Sequence, residues 1–155
     1  MSFQIHALPF EPFAPLFALS DDELRVRDIR SVVADASGGF PCRVSLQDAG
    51  EHERLLLLPY DHHRVSTPYR ASGPVYVRES ATQARPALDV VPELLRRRQL
   101  SLRAYDARGM MVWAEVLPGV EVEQGIAGLF AIDRSAYIHI HYAQPGCYAC
   151  RVERT

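Results

Sequence analysis

Four consecutive leucines, Leu55 to Leu58, sit between the polar pair Glu53-Arg54 and Pro59. The run is too short between its polar flanks for a good helix, so it reads as a strand that sends leucines to both faces and is buried on both. Pro59 ends that strand or places its end at a sheet edge, because proline has no amide to give to a ladder. The segment that follows, Tyr60 to Arg70, has the composition of a loop, and polar side chains on a loop beside a buried strand can converge on a pocket.

The remaining elements are short. Phe3 to Leu8 and Ser31 to Ala34 read as strands, and Pro12 and Pro15 limit the stretch after Pro9 to turns or a single helical turn. Ser20-Asp-Asp-Glu23 has capping-box spacing and predicts a helix from Ser20 to about Arg27. Pro74 to Glu79 alternates as a strand. Pro92 to Arg98 reads as a helix with Pro in its first turn, Glu93 at its positive end and three arginines at its negative end. Leu100 to Tyr105 and Met110 to Val116 flank Asp106-Ala-Arg-Gly109, a hairpin turn whose glycine supplies a positive φ. Glu121 to Phe130 has helical spacing, weakened by Gly125 and Gly128. Tyr137 to Tyr142 and Cys147 to Glu153 form a last strand pair around Pro145-Gly146. The fold class is therefore α+β, a mostly antiparallel sheet with a few short helices in a single domain spanning residues 1–155.

Charge and cysteine usage narrow the function. All 17 basic residues are arginine, against 19 acids, for a net charge of −2. A chain without a basic surface is not expected to bind nucleic acid. The longest aliphatic run is far shorter than a membrane span, and the first residues lack the basic flank and apolar run of a signal peptide. Three cysteines, an odd number, point to a reducing compartment, the cytoplasm. Phosphate loops, His-Glu-x-x-His helices, calcium loops and serine elbows are absent from the sequence.

Chemistry concentrates at the C-terminal hairpin. In Tyr137-Ile-His-Ile-His-Tyr142 alternation places His139 and His141 on one face and the isoleucines on the other, toward the core. If the returning strand is regular, Cys150 shares the histidine face and Cys147 the isoleucine face, whether the connecting loop has two or four residues. His139, His141 and Cys150 are then candidate metal ligands, with a fourth from Asp61, His62, His63 or water. The same face can instead support a Cys–His nucleophile or line a polar groove. Tyr60, His62, Arg70 and Arg78 are the expected co-liners, as hydrogen-bond and anion partners. Arg43, Arg70 and Arg78 are a further candidate anion site. Cys42 reads as a small buried structural thiol, Cys147 as structural, and Trp113 as packed in the core or a groove. The Cys147-x-x-Cys150 spacing does not favour redox chemistry, because on a strand the two sulfurs point apart.

Phe40-Pro-Cys-Arg43, Thr67-Pro-Tyr-Arg-Ala-Ser72, Ser101-Leu-Arg-Ala104, Tyr137-Ile-His-Ile-His141 and Pro145-Gly-Cys-Tyr-Ala149 together resemble the bacterial family catalogued as domain of unknown function 1203. The resemblance spans essentially the whole chain. It implies a small bacterial protein and no particular activity or cofactor. The family's C-terminal pattern is similar to His-x-His-Asn followed by Gly-Cys-Tyr-Ala-Ala; this chain matches it at His139, His141 and Cys147 and departs at Tyr142 and Cys150. The departure weakens Cys150 as a family-wide ligand. The leading expectation is a small polar or anionic ligand held in a groove near His139 and His141. A small hydrolase or zinc-dependent enzyme at the same place, with His141 as base or ligand, is the alternative. A structural protein acting through homodimerisation is the third.

Overall fold

Leu100, Leu102 and Ala104 alternate with polar residues, as do Ile138 and Ile140, so the two strands that carry them share one apolar face. The computed structural model describes residues Met1–Thr155. In chain order the elements are β1 (Phe3–His6), α1 (Asp21–Arg25), β2 (Arg30–Val33), β3 (Arg54–His63), β4 (Ala71–Arg78), α2 (Glu93–Arg96), β5 (Gln99–Tyr105), β6 (Met111–Pro118), α3 (Val122–Phe130), β7 (Tyr137–Tyr142) and β8 (Tyr148–Arg154). Two short 3₁₀ turns, Ala14–Ala18 and Gly119–Glu121, complete the set.

The strands form two sheets, one of five strands in the order β1-β8-β7-β5-β6 and one of three in the order β2-β3-β4. Every strand pairing within them is antiparallel. The α+β class expected from the pattern is the class observed. No helix is long and apolar enough to cross a membrane.

On the isoleucine face of the large sheet, Ile126, Leu129 and Phe130 of α3 and Leu94 and Leu95 of α2 close a core with Leu100, Leu102, Ile138, Ile140 and Val152. A second core forms where Leu56 and Leu58 of β3 and Val75 and Val77 of β4 meet Phe13, Leu24, Ile29 and Tyr148. Tyr148 belongs to β8, so the small sheet lies over the histidine side of the large one. β7 is therefore covered from both sides, and all six of its residues are buried.

Three of the four leucines are buried as the pattern requires, Leu55 facing a small cluster with Ala34 and Ala49, while Leu57 is only half-buried. Pro59 does not end β3, which continues to His63. β2 pairs only with Arg54–Leu57, so β3 is an edge on that side from Leu58 onward. On its other side Pro59 faces Pro74. Two prolines can oppose each other only where an antiparallel ladder exchanges no amide bonds. The expected loop shrinks accordingly to residues 64–70.

The capping box at Ser20 and Glu23 is present in both directions, and Gly109 turns the β5–β6 hairpin at φ +87°. Trp113 departs from expectation. It lies on β6, the outer strand, and remains 60% exposed instead of packing in the core or a groove.

The glycines of α3 do not break it, for different reasons. A Cβ on Gly125 would fall 2.4 Å from Leu117 Cδ2, so its missing side chain lets the helix sit down on the sheet, whereas Gly128 faces open space. Gly119 is tighter still, because a Cβ there would lie 2.0 Å from the carbonyl oxygen of Leu95. Gly119→Ala should lower stability by about 1–3 kcal/mol through forced backbone displacement. Gly128→Ala should raise it by about 0.4–1 kcal/mol by restricting the unfolded chain. Urea titration of the two variants beside the wild type checks both signs.

Candidate metal centre

A regular β7–β8 ladder would put Cys150 beside the histidines, and the ladder is not regular. Ile140 faces Cys150, but one step further His141 faces Tyr148, so Ala149 is an extra residue in β8. This β-bulge reverses the facing of the strand's first part. Cys150 consequently lies with the isoleucines in the main core, where burial pushes its thiol up to about 12. The expectation of Cys150 as a third ligand is thus corrected, and Tyr148 occupies the place beside the imidazoles.

A second bulge brings in the missing partners. Tyr60 faces Gly73 and His63 faces Ala71, so β3 carries one residue more than β4 over this stretch. Neighbouring side chains of a regular strand point to opposite faces, but here both His62 and His63 reach the ring of His139, with centroids 6.2 and 4.9 Å away. The ring of His62 lies parallel to that of Tyr148 at 5.1 Å and meets His141 edge-on at 5.2 Å. Tyr105 and Tyr137 enclose His139 from the far side at 5.3 and 5.4 Å.

Hydrogen bonds distinguish the four imidazoles. His63 is saturated: one ring nitrogen meets the Tyr69 carbonyl oxygen at 2.7 Å and the other the Tyr137 hydroxyl at 2.7 Å. A carbonyl only accepts, so Nδ1 of His63 carries the proton and Nε2 accepts from Tyr137. By the same reasoning Nδ1 of His141 donates to the Gly146 carbonyl oxygen at 3.0 Å, and its Nε2 is left with a lone pair. That Nε2 is buried without a partner, as are Nδ1 of His62 and Nδ1 of His139. One ring nitrogen from each of His62, His139 and His141 can be chosen so that all lie within 4.8 Å of one another.

Burial governs their charge. Desolvation, reinforced by the neighbouring imidazoles and by Arg151, lowers His139 to about 2. Desolvation also lowers His141 to about 3, against the opposing hydrogen bond to Gly146, and Arg103 adds to the depression. His62, less enclosed, falls to about 4 for the same first reason, with His63 and Arg103 contributing. All three rings are neutral near pH 7, the form that offers a lone pair to a metal ion.

The other expected co-liners lie elsewhere. Tyr60 packs on Phe13 at 5.8 Å, within the second core. Arg70 is exposed at the end of the 64–70 turn. Arg78 pairs with Leu55, seven residues along β4 from the position facing His63, or roughly 23 Å away. There its guanidinium binds Glu53 at 2.6 Å and Ser45 at 3.2 Å. Cys42 is fully buried, its sulfur accepting from the amides of Ser45 and Arg78. Alternation along β7 puts Tyr137 on the face of His139, a signal that the sequence carries, whereas Tyr105 and Tyr148 become walls only through strand pairing and the bulge, which it does not reveal.

No curated protein and no solved structure matches the chain. A family model does, over residues 39–154, and its description is "Protein of unknown function (DUF1203)". The chain belongs to this family. The match covers every member of the histidine cluster and both bulged strands.

Because the folded-state values lie below the unfolded value near 6.5, the unfolded chain binds more protons between them, and stability falls as pH drops from about 6.5 toward 4. Each buried imidazole contributes up to about 1.4 kcal/mol per pH unit in that window. Urea midpoints in the presence of a chelator should decline steeply from pH 7 to pH 5. In His139→Gln the decline should be shallower by about one proton's slope, and an unchanged slope would contradict the neutral, buried assignment.

Proposed function

We propose that His62, His139 and His141 bind a divalent transition-metal ion of the zinc class, with a fourth coordination position for water or a small anion. The carrying observation is that one ring nitrogen from each of three neutral imidazoles lies within 4.8 Å of the other two, and that each imidazole has a buried ring nitrogen lacking a partner. Buried ring nitrogens without partners are costly unless something occupies them, and a tetrahedral ion would draw its ligand nitrogens together to about 3.4 Å. His141 supports the reading further, since its other nitrogen is already anchored to a backbone carbonyl, the usual second partner of a metal-bound imidazole.

Arg103 gives the centre its anionic preference. It lies opposite His139 in the β5–β7 ladder, makes a 3.3 Å hydrogen bond to Ser101 and has no carboxylate partner. A guanidinium in that position balances the charge of an anion on the metal. The reaction class open to such a centre is metal-assisted hydrolysis, in which the ion supplies the polarisation and this chain positions the ion.

Chelator-treated protein titrated with Zn²⁺ or Co²⁺ should be stabilised by about 2.7 kcal/mol at a hundredfold excess over Kd, and the cobalt form should show the visible absorption of a tetrahedral nitrogen site. His62→Ala and His141→Ala should lose both responses. His63→Gln, altered at the saturated imidazole, should keep them. Absence of saturable binding by the wild type would refute the reading.

Self-association is favoured by a separate observation: β6 is an unpaired edge, and Trp113, Val116 and Val120 on or beside it are 60%, 59% and 68% exposed. Light scattering should find a dimer that Val116→Lys dissociates, and a wild-type monomer at high concentration would reject this reading.

A further inference from the structure

Arg43 is 1% exposed, yet none of the chain's ion pairs includes it. Its guanidinium donates to the Tyr148 carbonyl oxygen at 2.7 Å, to the Pro41 carbonyl oxygen at 2.6 Å and to the sulfur of Cys147 at 3.0 Å. Three hydrogen bonds fix its position without cancelling its charge. A buried cation without a counter-ion is expensive, and proteins ordinarily supply one from a side chain or a ligand.

The guanidinium helps to line a cavity of about 480 Å³ together with Arg98, Tyr142, Gln144 and Cys147. That size is within the range of sites for small organic molecules. Arg98 is neutralised by Asp48, but it and Arg43 both lie against the Tyr142 ring, at 5.3 and 5.1 Å. Tyr142 is itself 3% exposed, and its hydroxyl has no hydrogen-bond partner. Thus one wall of the cavity offers an uncompensated cation, and another residue of the wall holds an unused hydroxyl. Cys147 is half-buried beside them, whereas Cys42 and Cys150 are sealed in the interior.

We propose that this cavity is a binding site for a small molecule bearing an oxyanion, a carboxylate or a phosphate, with Arg43 as its counter-ion and the Cys147 sulfur at its edge. The site is separate from the histidine cluster and does not depend on a metal. It also gives Cys147 a role beyond packing.

Iodoacetate and iodoacetamide distinguish the proposal from a merely accessible thiol. In each reaction the sulfur forms a bond to the reagent's methylene carbon, iodide leaves, and the thiol proton passes to buffer. Only iodoacetate carries the oxyanion. Mass spectrometry of the native protein should find alkylation at Cys147 and not at Cys42 or Cys150. The iodoacetate-to-iodoacetamide rate ratio should exceed that of the urea-unfolded chain by about tenfold. Acetate or inorganic phosphate should slow alkylation saturably, and whichever protects identifies the oxyanion class. Arg43→Gln should abolish the preference; Tyr142→Phe, which keeps the ring and removes only the hydroxyl, should weaken the protection. A native ratio equal to that of the unfolded chain, or protection by neither anion, would overturn the proposal using wild-type protein alone.

Discussion

A strand buried on both faces has no solvent side on which to place polar groups, and β7 carries two histidines. Alternation puts both imidazoles on the face opposite the isoleucines, and the small sheet then covers that face. Water is excluded, so the rings are neutral and their lone pairs need partners from within the protein. His63 finds partners for both ring nitrogens and His141 only for its N–H, which leaves the His141 lone pair unmatched. The concentration of unsatisfied nitrogen follows from this one packing decision, as do the aromatic walls around it.

Much of the architecture is legible in the chain. The leucine run announces a strand covered from two sides, Ser20 and Glu23 mark a helix start, and Asp106 to Gly109 marks a hairpin turn, because each is a local rule that the rest of the protein does not need to overrule. The site is legible only by halves. His139 and His141 share a face in any regular strand, and His62 was within view as a possible fourth ligand. The partner Cys150 was misplaced because strand parity holds only while the ladder is unbroken. The bulge at Ala149 leaves no mark in composition, and neither does the one that allows both His62 and His63 to face His139. Trp113 shows the complementary failure: a large apolar side chain suits a core, but whether its face is covered depends on β6 being the outer strand.

The histidine cluster and the Arg43 cavity, the two proposed sites, meet at the turn between β7 and β8. Arg43 holds the carbonyl of Tyr148, whose ring stacks on His62, while Gly146 anchors His141 and the adjacent Cys147 touches Arg43. Segments 104 and 105 residues apart in sequence are thereby joined by one guanidinium. An anion that draws Arg43 toward the cavity would act on the same turn that orients two of the three free imidazoles.

Ala149 has an implication for how such chemistry changes over time. It is the one surplus residue in an otherwise continuous ladder, so shortening the chain by a single codon there would leave Tyr148 opposite His141 and Cys150 opposite Ile140, each on the face it has now. The phenol would stay beside the imidazoles and the thiol in the isoleucine core, because the bulge absorbs one residue without changing which side chain meets which. The surroundings of the imidazoles therefore tolerate a one-residue change in strand length, provided that it falls in the bulge.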